Sequence, residues 1–108
     1  MYSPIITGNT ERIGLQDIRV DMDLHLPFES EAVYLVRLYE TENPFAYFEE
    51  SQPYTGNMNY TIYFNGLKRN THYSASVTPV YKGIKGTPVS LGSAWTGMGY
   101  FFKLHKIL

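Results

Sequence analysis

Asp21, Asp23 and His25 stand at i, i+2 and i+4 in the run Ile18-Arg19-Val20-Asp21-Met22-Asp23-Leu24-His25-Leu26. Two carboxylates and an imidazole are ligands that a divalent ion takes. On an extended chain, alternate residues share a face about 7 Å apart. That spread is too wide to close around a metal at ~2 Å, so the run reads as the solvated face of a strand. Glu49-Glu50 offers half of a glycosidase-type carboxylate pair, or more simply an acidic rim that blunts an edge strand. His72 and His105 have no carboxylate near them in sequence and no nucleophile to activate. Gly92, Gly97 and Gly99 precede no helix and no Walker-type lysine, so they form no phosphate loop. There are no cysteines, which removes a thiolate zinc site, a cysteine nucleophile and a disulfide framework together. The sequence is therefore read as non-enzymatic, with no catalytic, metal or cofactor residue and no bound cofactor.

The elements that carry these residues follow from period-two patterning. In the run above, Ile18, Val20, Met22, Leu24 and Leu26 line one face and the polar residues the other, the mark of a half-buried strand that Pro27 ends. Val33–Tyr39 is apolar on both faces and reads as a central strand. Asn59–Phe64 and Tyr73–Val80 alternate again, and Ala46–Glu49 and Thr87–Trp95 are shorter candidates. Turn residues separate them at Pro27–Ser30, Glu42–Pro44, Pro53–Asn57, Asn65-Gly66 and Gly83–Gly86. Short strands without helices predict an all-β sandwich or barrel. A length of 108 residues with 44% apolar content is enough for one domain and one core. No apolar run reaches the ~20 residues of a membrane span, and Met1–Ile6 has no basic and apolar leader pattern. These features leave the localisation unassigned.

The segment Tyr60-Thr-Ile-Tyr-Phe-Asn-Gly-Leu67-Lys-Arg-Asn-Thr71-His-Tyr73-Ser-Ala-Ser-Val77 resembles the E–F region of a fibronectin type III domain. Leu67, Thr71 and Tyr73 stand at the spacings of that family's tyrosine corner. The resemblance implies that Tyr73 lies over the core with its hydroxyl aimed back at the turn. Arg69-Asn70 replaces the family's Pro-Gly, and Asn tolerates a left-handed backbone. Leu24-His25-Leu26-Pro27 resembles the end of strand B with Leu24 in the place of the usual tryptophan. Phe28, Tyr34, Tyr60 and Trp95 are the candidates to fill its volume. Tyr34–Leu38 resembles strand C, and Val77–Gly83 the end of strand F. The implied fold is all-β: a seven-stranded antiparallel β-sandwich, fibronectin type III-like, with an immunoglobulin-like sandwich lacking the disulfide as the alternative. The expected boundaries are an N-terminal arm at 1–10, the sandwich at 11–97 and an apolar C-terminal extension at 98–108.

The formal net charge of −1 conceals two opposed halves. Ten acidic residues against three arginines leave −7 before Ser51, and six basic residues with no acid leave +6 after it. In a type III topology Glu29 and Glu31 are expected near Lys82 and Lys85, and Glu40 and Glu42 near Lys68 and Arg69. Each exposed pair contributes ~0–1 kcal/mol. Local neutralisation speaks against nucleic acid as a partner, and membrane contact through Lys103 and Lys106 ranks last.

The strongest functional lead is the C-terminal extension. Tyr100, Phe101, Phe102, Leu104, Ile107 and Leu108 are costly to leave in water at ~25 cal/mol per Å². They form either a strand folded back on the same domain or a contact with a partner protein or a second copy. A small sandwich of this kind, read as standing alone, is similar to virion proteins of tailed bacteriophages, which implies a capsid decoration, neck or tail role. The alternative is a carbohydrate- or cell-surface-binding accessory module, marked by an exposed row of Tyr or Trp on one sheet.

Overall fold

Period-two runs become strands when a partner takes up their backbone groups. The computed structural model describes residues 4–25 and 29–98. They form β1 (Ile6–Arg12), β2 (Ile18–Leu24), β3 (Val33–Glu40), β4 (Asn43–Pro53), β5 (Asn59–Phe64), β6 (His72–Tyr81), β7 (Ile84–Lys85) and β8 (Val89–Trp95). One sheet runs β1-β2-β5. The other runs β4-β3-β6-β8, with β7 on the far end of β6, and all pairings are antiparallel.

The core is the sum of the inner rows. Ile18, Val20, Met22 and Leu24 of β2 face Tyr34, Val36 and Leu38 of β3, with Tyr60, Ile62 and Phe64 of β5 and Tyr73, Ala75 and Val77 of β6 completing it. Each buried aliphatic side chain contributes roughly 1.5–3 kcal/mol relative to exposure. Tyr34 and Tyr73 are the largest fully buried side chains, whereas Trp95 is 60% exposed. Tyr34 and Tyr60 thus bring aromatic volume to the end of the sandwich where Leu24 stands, and Trp95 does not. Leu26 and Phe28 lie outside the described residues.

Three expectations are corrected. The described residues form eight strands rather than seven, the additional one being the two-residue β7. Lys82 and Gly83 both take positive φ, 52° and 79°, as a two-residue hairpin turn requires, so Tyr81 pairs with Ile84 before the chain moves on to β8. The segment 1–10 is not wholly an arm, because β1 begins at Ile6 and pairs along its whole length with β2. Its inner positions are Ile6, Gly8 and Thr10, whose small and polar members hide the alternation. Finally, the candidate at Ala46–Glu49 is an eleven-residue strand. β4 lies at a sheet edge and is exposed along nearly all its length, so neither face imposes a pattern. Pro44 and Pro53 are tolerated near its ends, as proline is on an edge.

The two lateral sides of the sandwich differ. On one side β1 packs against β8. Thr10 Oγ1 donates to the Leu91 carbonyl at 2.8 Å, and a Cβ on Gly8 would overlap the Asp21 carbonyl and the Leu91 side chain. The opposite side, between β4 and β5, is open and lined by Glu50, Ser51, Gln52, Thr61, Ile62 and Tyr63.

Candidate functional site

Asp21, Asp23 and His25 project from the outer face of β2 and its end, and each is engaged by a neighbouring strand. Asp21 accepts from Arg19 Nε at 3.1 Å and from Thr61 Oγ1 at 3.0 Å. The same Arg19 reaches Glu11 at 2.7 Å. His25 Nε2 shares a hydrogen bond with Thr7 Oγ1 at 3.0 Å. Asn59, with its amide oriented to satisfy both ends, donates to Asp23 Oδ1 at 2.8 Å. Among the described residues no three acidic or histidine side chains gather as a metal would require. Glu49 and Glu50 are neighbours on β4 and so point to opposite faces. Glu49 accepts from Arg37 Nε and Nη2 at 3.1 and 2.9 Å, while Glu50 lines the open side. Their carboxylates do not converge.

Leu67 and Tyr73 are buried at the end of the core and Thr71 lies in the turn between them. The Lys68 N–H donates to Tyr73 Oη at 3.1 Å, Thr71 Oγ1 donates to the Arg69 carbonyl at 2.9 Å, and Asn70 takes a φ of 50°. Gln16 holds Leu67 from the neighbouring loop, accepting its N–H at 2.9 Å and donating to its carbonyl at 2.8 Å.

Sequence reasoning missed two residues that do comparable work. At the opposite end of the sandwich the Thr55 N–H donates to Tyr60 Oη at 2.9 Å. This repeats the bond between a tyrosine hydroxyl and the amide five residues before it. The signal was present: Tyr54 and Tyr60 are spaced as Leu67 and Tyr73 are, with a polar turn between. Thr96, buried just beyond β8, donates from Oγ1 to the Lys68 carbonyl at 2.6 Å and accepts the Thr71 N–H at 2.9 Å. No local pattern marks it.

The outer face of β4-β3-β6-β8 is the candidate contact surface. Register places Tyr47, Tyr39, Ser74 and Ser93 in one cross-strand row, and Glu49, Arg37, Ser76 and Ser90 in the next. The Arg37 guanidinium sits 3.9 Å from the Tyr47 ring centroid, a cation–π arrangement that holds both side chains flat. At the far end His72 and Trp95 face each other with ring centroids 5.0 Å apart. His105 and the C-terminal residues Tyr100, Phe101, Phe102, Leu104, Ile107 and Leu108 lie outside the described residues.

The charge halves meet less than expected. Among the described residues the ion pairs are Arg19–Glu11, Arg19–Asp21, Arg37–Glu49 and Lys68–Glu40, the last at 3.1 Å. Only Lys68–Glu40 joins the two halves. Lys82 occupies the tip of the β6–β7 turn with Nζ 5.3 Å from the Tyr81 ring centroid and makes no ion pair with Glu29 or Glu31. Glu50, which has no ion pair among the described residues, lines the open side beside β4.

No family model and no curated protein matches the sequence. Solved structures do match. A computationally redesigned β-sandwich protein superposes with a TM-score of 0.72 at 18% identity, over 90% of this chain and 92% of that one. The sensor domain of the anti-sigma factor RsgI4 of Pseudobacteroides cellulosolvens, in its longer form, gives a TM-score of 0.64 at 12% identity, over 89% and 92%. The fn3 domain of the human collagen alpha-1(XX) chain gives 0.58 at 18% identity, over 88% and 85%. At such identities the likeness concerns architecture alone, and the chain folds as a fibronectin type III-like β-sandwich of the immunoglobulin-like kind.

Proposed function

We propose that this chain is a non-catalytic protein–protein contact module that associates with further copies of itself, or with a partner protein, through Tyr100–Leu108. The carrying observation is that residues 4–98 already close a core, with Leu91, Thr96 and Gly97 buried at its last strand. Six large apolar residues then follow in the last nine. That surface exceeds what the sandwich needs, and burial against another subunit stabilises it at ~25 cal/mol per Å². The engagement of Asp21, His25 and Glu49 by their neighbours supports a role without catalysis. A repeated position in a bacteriophage particle, as decoration, neck or tail protein, is the setting proposed for such a module. It rests on analogy between small sandwich proteins.

Light scattering coupled to size exclusion tests this on the full chain and on a chain ending at Gly97. The full chain is expected to run as a multimer and the shortened one as a monomer with the same unfolding midpoint. Two monomers of equal stability overturn the proposal. Rings or arrays of the full chain in negative-stain micrographs are the form that a virion setting requires.

The aromatic outer face favours a second reading, a carbohydrate- or cell-surface-binding module. Trp95 and Tyr47 are exposed at the two ends of a serine-lined sheet face. Trp95 is the single tryptophan, so its fluorescence reports any sugar stacked there. A saturable shift with oligosaccharides supports this second reading, and an unchanged spectrum at millimolar sugar removes it.

A further inference from the structure

The open side of the sandwich carries a strand edge whose backbone is ready to pair. The Tyr54 N–H donates to the Ala32 carbonyl at 3.0 Å, which makes Ala32 and Tyr54 a hydrogen-bonded pair of the β3–β4 ladder. In an antiparallel ladder such pairs alternate with non-bonded ones. The unbroken register from Val33↔Pro53 to Tyr39↔Tyr47 therefore assigns Phe48, Glu50 and Gln52 to β3. It turns the N–H and C=O groups of Tyr47, Glu49 and Ser51 away from the sheet. Pro53, which has no N–H to offer, falls in the outward series, where none is needed. The proline and register-shift protections of an edge sit at the ends of β4, at Pro44, Pro53 and beside Tyr47. Between Tyr47 and Ser51 only the charges of Glu49 and Glu50 guard it, and these repel acidic strands rather than basic ones. Phe45, 92% exposed, and Phe48 flank it.

We propose that this edge of β4 receives the C-terminal segment of a second copy as an added strand. This rests on the reading of Tyr100–Leu108 as a contact segment and names the surface it contacts. Charge and pattern select the occupant. Arg37 neutralises Glu49, so the acidity of the edge comes from Glu50, which has no ion pair among the described residues and lines the open side. The segment Phe102-Lys103-Leu104-His105-Lys106-Ile107 carries basic residues between apolar ones, with no acid and no proline. Main-chain bonds supply affinity in strand addition, and side chains beside the edge supply selectivity. A symmetric β4–β4 pairing between copies centred on Glu49 or on Glu50 would instead set that glutamate against its own counterpart, which is unfavourable.

Geometry favours a second copy over the chain's own tail. β8 and β4 lie at opposite edges of one sheet, three inter-strand spacings or about 14 Å apart. Crossing that distance from Met98 takes at least four residues at ~3.4 Å each and leaves Tyr100 to Phe102 out of the pairing. A strand arriving from another copy pairs over the whole segment.

Hydrogen exchange at residue resolution on the full chain tests the proposal, run at an assembled and at a dissociating concentration. The amides of Tyr47, Glu49 and Ser51 are expected to gain at least tenfold protection on assembly. The outward amides of β5 (Asn59, Thr61 and Tyr63) are expected not to change. The full-length variant Ser51→Pro removes one outward N–H without taking a bond from β3 and is expected to be monomeric. Lys103→Glu with Lys106→Glu is expected to raise the dissociation constant at least tenfold. Protection that does not vary with concentration shows the tail pairing within its own chain and overturns the second-copy assignment. Protection on β5 instead of β4 overturns the choice of edge. A multimer in which Tyr47, Glu49 and Ser51 exchange freely overturns the inference while leaving the contact-segment reading intact. A full chain that is monomeric at every concentration overturns both. The exchange arm uses the unaltered chain, so a Ser51→Pro variant that misfolds does not remove the test.

Discussion

Thr96 donates its hydroxyl proton to the carbonyl oxygen of Lys68 across 2.6 Å, joining the end of β8 to the β5–β6 turn. The Thr96 hydroxyl oxygen in turn accepts the Thr71 N–H at 2.9 Å, and the Thr96 N–H donates to the Thr71 carbonyl at 2.9 Å. One buried side chain thus satisfies the turn from which Tyr73 enters the core. Thr96→Val keeps the shape and removes the hydroxyl, leaving a donor and an acceptor unpaired. The expected cost is about 1–3 kcal/mol, read as a lower urea midpoint at unchanged slope, with Thr96→Ser recovering most of it.

Tyr60 and Tyr73 make equivalent hydroxyl bonds at opposite ends of the sandwich. Tyr60→Phe and Tyr73→Phe each remove one acceptor from a backbone amide and are expected to cost about 1 kcal/mol. The sites share no partner, so the double variant is expected to lose the sum within about 0.5 kcal/mol. Chemical denaturation of the four proteins checks this, and a clear departure from additivity shows the two ends to be coupled.

Gly8 is the point where β1 lies against β8. A methyl group there meets the backbone carbonyl of Asp21, which cannot rotate away, as well as Leu91. Gly8→Ala is therefore expected to cost about 1–3 kcal/mol as overpacking. Hydrogen exchange is expected to accelerate first along β1.

Arg37 binds Glu49 through two nitrogens and covers the Tyr47 ring, yet all three side chains are at least one-third exposed. Arg37→Met is expected to cost under about 1 kcal/mol, falling further in high salt. If the outer face is a contact surface, the same substitution weakens binding far more than folding, because Tyr47 loses its support. Thermal melts beside a binding titration separate the two effects.

The pattern that reports a strand is burial on one face and water on the other. β2, β5 and β6 have that environment and were legible, as was β3, which shows its apolar character directly. β1 and β4 lack it. The inner row of β1 is Ile6, Gly8 and Thr10, shaped by the approach of β8 rather than by hydrophobicity, and β4 is wet along most of its length. The E–F spacing of Leu67, Thr71 and Tyr73 was visible for a related reason, since its hydrogen bond spans only five residues. The equivalent spacing of Tyr54 and Tyr60 is just as local, but no family resemblance marks it.

Sequence alone therefore determined β2, β3, β5 and β6, the turn chemistry between them and the lack of cysteine-based chemistry. These depend on residues within a few positions of one another. Tertiary structure decided which sheet edges close and which stay open, and it set Thr96 beneath a turn twenty-five or more residues away. It also showed that Arg19 and Arg37 neutralise neighbours in their own half of the chain, leaving Lys68–Glu40 as the ion pair that crosses it among the described residues. Those outcomes depend on long-range register, and a one-residue slip would send every side chain of a strand to the other face.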